Sequence, residues 1–149
     1  MRAVIVALVV ALSGCSANSV RDGEALLALQ RSAASAYAAG DYARAAEDYQ
    51  QLGENLRSDP EPYFKRGNAL AQMGEIDAAI AAYREALLRD PKHARAWHNL
   101  VYLQLQGVGK SVAEMYLHLD RNDPRVQPIA HKAERVLEVF EVAPVAVER

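Results

Sequence analysis

The only thiol of this 149-residue chain belongs to Cys15, which stands directly after an apolar run at the N-terminus. Arg2 supplies one positive charge, residues 3–12 are all hydrophobic, and Ser13 and Gly14 are small. A charged start, a short apolar core and small residues before a cleavage point are typical of an export signal. The run is too short for a membrane-spanning helix, which needs roughly 20 apolar residues. We therefore predict a signal peptide over residues 1–14.

The segment Leu12-Ser13-Gly14-Cys15 resembles the lipobox of bacterial lipoproteins. The resemblance implies that the Cys15 thiol carries a lipid, that the chain is cut before Cys15, and that the new amino terminus is acylated too. Two or more acyl chains anchor a protein stably, whereas one holds it only marginally. In such lipoproteins an Asp after the cysteine favours the inner membrane, so Ser16 favours the outer membrane, facing the periplasm. The alternatives are an ordinary signal peptide, or a buried first helix with a cysteine there by accident.

The other residues that could ligate metals or move protons are His93, His98, His118 and His131, and none has the H-E-x-x-H spacing of a metal helix. The segment 107–110 (GVGK) lacks the spacing of a phosphate-binding loop and a preceding strand, so we predict a turn there. No nucleophile, base and orienting group occur together. We expect no enzymatic activity, no metal site and no cofactor apart from the covalent lipid.

Composition restricts the partner class and the fold class. The chain has 17 Lys and Arg against 19 Asp and Glu, and loss of residues 1–14 removes one of the basic residues, which leaves a balance of −3. A mildly acidic chain without a basic stripe argues against nucleic acid as a partner. With Cys15 lipidated there is no thiol for a disulfide, so packing alone must hold the fold. Abundant alanine and no alternating Val/Ile runs after residue 20 favour an all-α protein.

A period of 34 residues runs through the chain. Gly40-Asp41-Tyr42 recurs as Gly74-Glu75-Ile76. Three alanines keep the same period, and each is followed four residues later by a large apolar residue: Ala45 with Tyr49, Ala79 with Tyr83, and Ala113 with Leu117. A separation of four places both side chains on one helical face. We expect the alanines where two helices approach closely.

This period resembles the tetratricopeptide repeat, an antiparallel helix pair of 34 residues. The middle copy carries the most matching residues: Tyr63, Gly67, Gly74, Ala79, Tyr83 and the closing Asp90-Pro91. In the first copy Gly53 interrupts the predicted second helix and Arg57 replaces the closing proline. The third copy has Val101 where glycine is usual, and an irregular turn at 107–110. The resemblance implies an all-α, right-handed solenoid of about three helix pairs with a C-terminal capping helix.

We predict seven helices, near residues 24–38, 42–56, 61–73, 77–89, 94–106, 111–120 and 128–141. Asp41 and Ser111 are predicted N-caps. In the last helix we expect Ile129, Ala133, Val136, Leu137 and Phe140 to form one buried stripe. The predicted organisation is a signal peptide (1–14), a lipidated tether (15–23), repeats (24–124), a capping helix (125–141) and a flexible tail (142–149).

Stacked helix pairs have a concave face lined by the first helix of each pair. By the resemblance, this face includes Arg31, Ala34, Tyr37, Glu61, Phe64, Lys65, Asn68, Gln72, Arg95, His98, Asn99, Tyr102 and Gln106. Rings beside amides suit an extended or helical peptide. We predict a partner-binding groove at Phe64, Lys65, Asn68, Arg95, His98, Asn99 and Tyr102, in which Lys65 and Arg95 form a steering rim.

Structural explanations for the same residues stay open. Asn99 is common in such repeats for packing reasons, Phe64 could tuck under the first unit, and Lys65 and Arg95 could be a solvated rim. The set matches only in part the Lys/Asn/Arg clamp by which chaperone cofactors grip a C-terminal carboxylate, so that ligand is not carried over.

We therefore expect a lipid-anchored periplasmic adaptor that binds a protein or peptide partner in the envelope. It would aid assembly or localisation of a pilus, secretion or cell-wall complex, as the pilotins that it resembles do. The alternative is a self-associating structural lipoprotein, a homodimer formed through an apolar outer face of the 128–141 helix.

Overall fold

The structure, a computed structural model, describes residues 22–140. The predicted signal peptide, Cys15, residues 15–21 of the tether and the tail lie outside the described residues. The described part contains six helices and no strand: α1 (22–38), α2 (Tyr42–Asn55), α3 (Glu61–Gln72), α4 (Ile76–Arg89), α5 (Ala94–His118) and α6 (Gln127–Val139). Residues 22 and 23, which the sequence assigned to the tether, belong to α1.

The first four helices form two pairs, each joined by a turn of three residues. Such short connections make neighbouring helices antiparallel. Each turn contains a glycine with a positive φ, 80° at Gly40 and 77° at Gly74, a conformation that side chains with a Cβ rarely adopt. Asp41 caps α2 as predicted, because its side chain accepts a hydrogen bond from the Arg44 amide at 3.2 Å. The conformation of these two glycines therefore explains why the chain reverses direction between the two helices of each pair.

The alanine–tyrosine pattern forms the core of these two pairs. Ala45 and Ala79 have no exposed surface, and Tyr49 and Tyr83 are buried. Consecutive helices pack in order, α2 on α3, α3 on α4 and α4 on α5. The prediction that the period marks close helix crossings is confirmed for the first two copies.

Gly53 does not interrupt α2, which continues to Asn55. The glycine instead makes room for the Tyr63 ring of the next repeat, whose Cζ lies 3.0 Å from where a Cβ at position 53 would be. The Tyr63 hydroxyl donates to the Gly53 carbonyl at 2.8 Å, and the Arg89 guanidinium lies 3.6 Å from the ring centroid. Position 53 is thus a close contact between two repeats, and the predicted interruption is wrong.

The predicted turn at 107–110 and the separate helix at 111–120 are also wrong, because α5 runs unbroken for 25 residues. Ser111 is not an N-cap, since its hydroxyl donates to the Gly107 carbonyl at 3.0 Å within the helix. A glycine weakens a helix by about 1 kcal/mol but does not forbid it, and this segment holds no proline to remove a hydrogen bond. As a result Ala113 is only half-buried and Leu117 is 61% exposed.

The last helix, α6, packs on α5. Its buried residues are Ala130 and Leu137, and the Tyr116 hydroxyl of α5 donates to Glu134 at 3.4 Å. The stripe predicted to be buried is mostly not, because Ile129, Val136 and Phe140 are exposed. The two buried residues lie on the neighbouring face of the helix, one residue further along.

Candidate functional site

A groove runs along the first helices of the pairs. It has a volume of about 430 Å³. The residues that line it are Tyr37, Asn68, Ala71, Gln72, Ile76, Tyr83, Asn99, Tyr102, Leu103 and Gln106. Of the predicted groove set, Asn68, Asn99 and Tyr102 line it. The groove therefore lies across α1, α3 and α5, with two residues of α4 at its floor and edge.

A hydrogen-bond network between two repeats forms the centre of the groove. The Asn68 side-chain oxygen accepts from the Tyr83 hydroxyl at 2.9 Å and from the Asn99 amide nitrogen at 2.9 Å. The Asn99 nitrogen also lies 3.3 Å from the Tyr83 hydroxyl oxygen. Burial raises the pKa of Tyr83 above its ordinary value, partly opposed by the bond from Asn99, so the phenol stays protonated and keeps its donor role. The two asparagines are thereby fixed in orientation.

This network leaves one donor and one acceptor unused. The Asn68 amide nitrogen and the Asn99 side-chain oxygen make no hydrogen bond with other residues in the described part of the chain. Neither atom is buried without a partner, so water reaches both. A peptide unit offers one carbonyl acceptor and one N–H donor. The pair of amides is therefore chemically matched to the backbone of an extended peptide.

Phe64 does not contribute to this surface, contrary to the prediction. Only 4% of the residue is exposed. Its ring centroid lies 4.8 Å from that of His93 and 6.0 Å from that of Tyr83, and the Arg95 guanidinium lies 4.8 Å from it. The ring is buried in the packing of α3 with α4 and the start of α5, so it offers no surface to a ligand.

The predicted rim is an ion-pair cluster around one carboxylate. Glu61 lies 3.8 Å from the Lys65 ammonium, 3.1 Å from the Arg95 guanidinium and 3.4 Å from the His93 ring nitrogen. Because both predicted rim cations share this partner, their side chains are oriented along the edge of the repeat. Exposed pairs of this kind contribute about 0–1 kcal/mol. The Glu61 carboxylate therefore partly neutralises the field of the two rim cations.

His93 has a structural role that sequence reasoning missed. Its ring nitrogen Nδ1 accepts from the Ala96 amide at 3.2 Å and caps α5, while Nε2 faces Glu61. His93 follows Asp90-Pro91-Lys92 and stands three residues before Ala96. This spacing was the sequence signal that could have identified it as an N-cap.

The other predicted inward residues differ in their placement. Tyr102 is 45% exposed and lines the groove. His98 is exposed on α5 but is not among the residues that line it. The apolar lining residues Ala71, Ile76 and Leu103 were missed. The helical spacing of Ala71, three residues after Asn68, could have indicated it.

No group of three or more His, Cys, Asp and Glu residues in the described part of the chain is arranged to hold a metal ion. None of its helices is long and apolar enough to cross a membrane.

Comparisons with known proteins address the repeats directly. Models of the tetratricopeptide repeat match residues 27–55 and residues 60–93. The chain contains tetratricopeptide repeats. The two matched TPR segments correspond to the pairs α1–α2 and α3–α4, with the second reaching the turn before α5. The groove described above is formed by these two repeats together with α5.

Two further likenesses agree with the TPR assignment. A TPR repeat-containing protein of Halalkalibacterium halodurans is 36% identical over 70 residues, which are 46% of this chain and 32% of that protein. The aligned region thus spans about a third of that relative's length. The TPR2B domain of yeast Sti1, solved in a complex with pHsp70, superposes with a TM-score of 0.54 at 17% identity over 74% of this chain and 97% of that one. The all-α TPR-like solenoid is therefore the fold of this chain.

Proposed function

We propose that the protein is a lipid-anchored periplasmic adaptor that holds a peptide segment of an envelope protein in the TPR groove. Through this contact it aids assembly or localisation of an envelope complex such as a pilus, secretion or cell-wall machine. The observation that supports peptide binding most directly is the fixed Asn68–Asn99 pair, with one unused donor and one unused acceptor in the groove.

The groove also offers area for side-chain contacts. Tyr102 of α5 is half-exposed in the groove, and Tyr37 of α1 lines the same groove. Aromatic rings bury a large area with few rotatable bonds, which makes them effective contact residues. Central residues that lose water on binding usually carry most of the affinity. Tyr102 is therefore the residue on which the proposal depends most.

The comparisons support a protein partner in general terms. TPR repeats are present, and the Sti1 domain of the same fold was solved in a complex with another protein. The envelope location and the anchor rest on the sequence pattern that ends at Cys15, and the outer membrane rests on Ser16.

The test places a photo-crosslinking amino acid at position 102 in cells that express the full chain. We expect it to trap a defined segment of an envelope protein, which is then synthesised as a peptide. Tyr102→Ala should lower the affinity for that peptide about tenfold or more while helicity is unchanged.

The matched control is Leu88, which is 75% exposed on α4 and does not line the groove. A crosslinker at position 88 should not trap the same segment, and Leu88→Ala should bind normally. If Tyr102→Ala binds as tightly as the wild-type chain, the groove is not the binding surface.

A further inference from the structure

One side of α5 is left without the helix that covers the same side of α3. In α3, Gly67 and Leu70 are buried. Thirty-four residues later, Val101 is half-buried and Gln104 is exposed, and Trp97 is 48% exposed. This side is exposed because α5 continues straight through residues 107–110. Residues 111–118, which a turn there would bring back over this side, extend along the helix axis instead.

The same side continues into the second half of α5, where Val112 and Met115 are half-buried beside α6. At helical spacing it consists of Trp97, Val101, Gln104, Val108, Val112 and Met115, here called the α5 stripe. None of the six side chains is charged. Lys110 and Glu114 fall on the far side of the helix, so this stripe can approach another apolar surface without burying a charge.

A second stripe on α6 adjoins the first. Ile129 and Ala133 of α6 and residues of the α5 stripe line a common groove of about 490 Å³. Val136 and Phe140 extend this α6 stripe, and both are exposed. The spacing of Ile129, Ala133, Val136 and Phe140 is four, three, four, which is the seam pattern of a helix that packs against other helices.

The α5 stripe is self-complementary. When two copies of α5 lie antiparallel about a two-fold axis near residue 106, Trp97 of one copy faces Met115 of the other. In the same arrangement Val101 faces Val112, and Gln104 faces Val108. An isologous contact uses one patch on both subunits and closes at a dimer. We propose that the stripes of α5 and α6 form the interface between two copies of this chain.

The area of the exposed surface indicates that α5 and α6 both contribute to the proposed dimer interface. From residue 97 to residue 115 the α5 stripe is about 27 Å long, and with a helix width of about 11 Å it covers on the order of 300 Å² per copy. A stable interface buries about 1,000 Å² or more in total. The α5 stripe alone is too small, and the exposed α6 stripe supplies the adjoining area.

Sedimentation equilibrium of the full chain over a range of concentrations tests the proposal. We expect a dimer mass for the wild-type chain. Val108→Glu places a carboxylate near the axis in both copies and should raise the dimer dissociation constant more than about tenfold. Leu88→Glu makes the same change at an exposed residue outside the stripes and should leave the dimer intact. Helicity should be unchanged in both variants. A monomer mass at every concentration, or equal behaviour of the two variants, overturns the proposal.

Crosslinking between introduced cysteines in cells distinguishes the proposed dimer from a chain in which residues 111–118 fold back onto their own α5. Gln104→Cys with Val108→Cys should give crosslinked dimers, and the chain without these changes is the control. A crosslink within one chain between Val101→Cys and Leu117→Cys would show that residues 111–118 fold back onto their own α5, which refutes the dimer interface. Peptide binding at Tyr102 should be unchanged in Val108→Glu. A failure of the dimer proposal can therefore be distinguished from a failure of the peptide-binding proposal.

Discussion

Replacing Gly67 by alanine tests the close crossing between α3 and α4. A Cβ at this position would lie 2.5 Å from Cε1 and 2.6 Å from Cδ1 of Tyr83. The tyrosine ring is buried, and its hydroxyl is held by Asn68 and Asn99. The ring therefore cannot turn away without giving up its hydrogen bonds.

The expected loss of stability follows from three terms. Overpacking a tight core costs about 1–3 kcal/mol. Loss of the Tyr83 hydrogen bond adds about 1 kcal/mol. Alanine is favoured over glycine in a helix by about 1 kcal/mol, which acts in the opposite direction. The sum is a destabilisation of about 2 kcal/mol, which lowers the melting temperature by about 8 °C for a chain of this size.

Thermal unfolding followed by circular dichroism measures this effect. The matched control is Gly107→Ala, because a Cβ at position 107 would have no neighbour within 4 Å. With α5 continuous, this change should stabilise the protein by about 0.5–1 kcal/mol. If Gly67→Ala melts at or above the wild-type temperature, the crossing is not as tight as the structure shows. If Gly107→Ala is destabilising, the chain turns at this position and α5 is not one helix.

Two other predictions concern the core and the anchor. Ala79→Leu overpacks a residue with no exposed surface and should cost about 1–3 kcal/mol, whereas Ala78→Leu, on the exposed side of the same helix, should melt like the wild-type chain. Equal melting of these two variants would contradict the buried crossing. Cys15→Ser should abolish incorporation of labelled fatty acid and leave an uncut precursor, while Ser35→Ala should label normally. Normal labelling of the Cys15→Ser chain would remove the lipoprotein proposal.

The fold of the first two repeats could be predicted because its determinants are local. Gly40 and Gly74 fix the turns through their backbone conformation, and the spacing of Ala45, Ala79 and their tyrosines fixes which helical faces meet. In the groove, the amide residues Asn68 and Asn99 could be predicted because Asn99 lies three residues before the repeat equivalent of Asn68, and a spacing of three keeps both on a similar side of successive first helices.

The roles of Phe64 and Gly53 depended on contacts with residues that are far away in the sequence. Phe64 could be a contact residue or a packing residue by sequence, and only the packing of α3 with α4 and the start of α5 shows that Tyr83, His93 and Arg95 surround it. Gly53 looked like a helix breaker, and only the arrival of the Tyr63 ring shows why a glycine is needed there. Neither outcome follows from spacing along the chain.

The sequence by itself determined the helical class, the 34-residue period and the turns that join each pair, because backbone conformation and side-chain periodicity are properties of short segments. The tertiary structure decided the course of α5 and the side of α6 that is buried. At 107–110 glycines permit either a turn or a helix, and the difference of about 1 kcal/mol per glycine is small compared with the packing of a whole helix. Where local preferences nearly balance, long-range contacts choose the conformation.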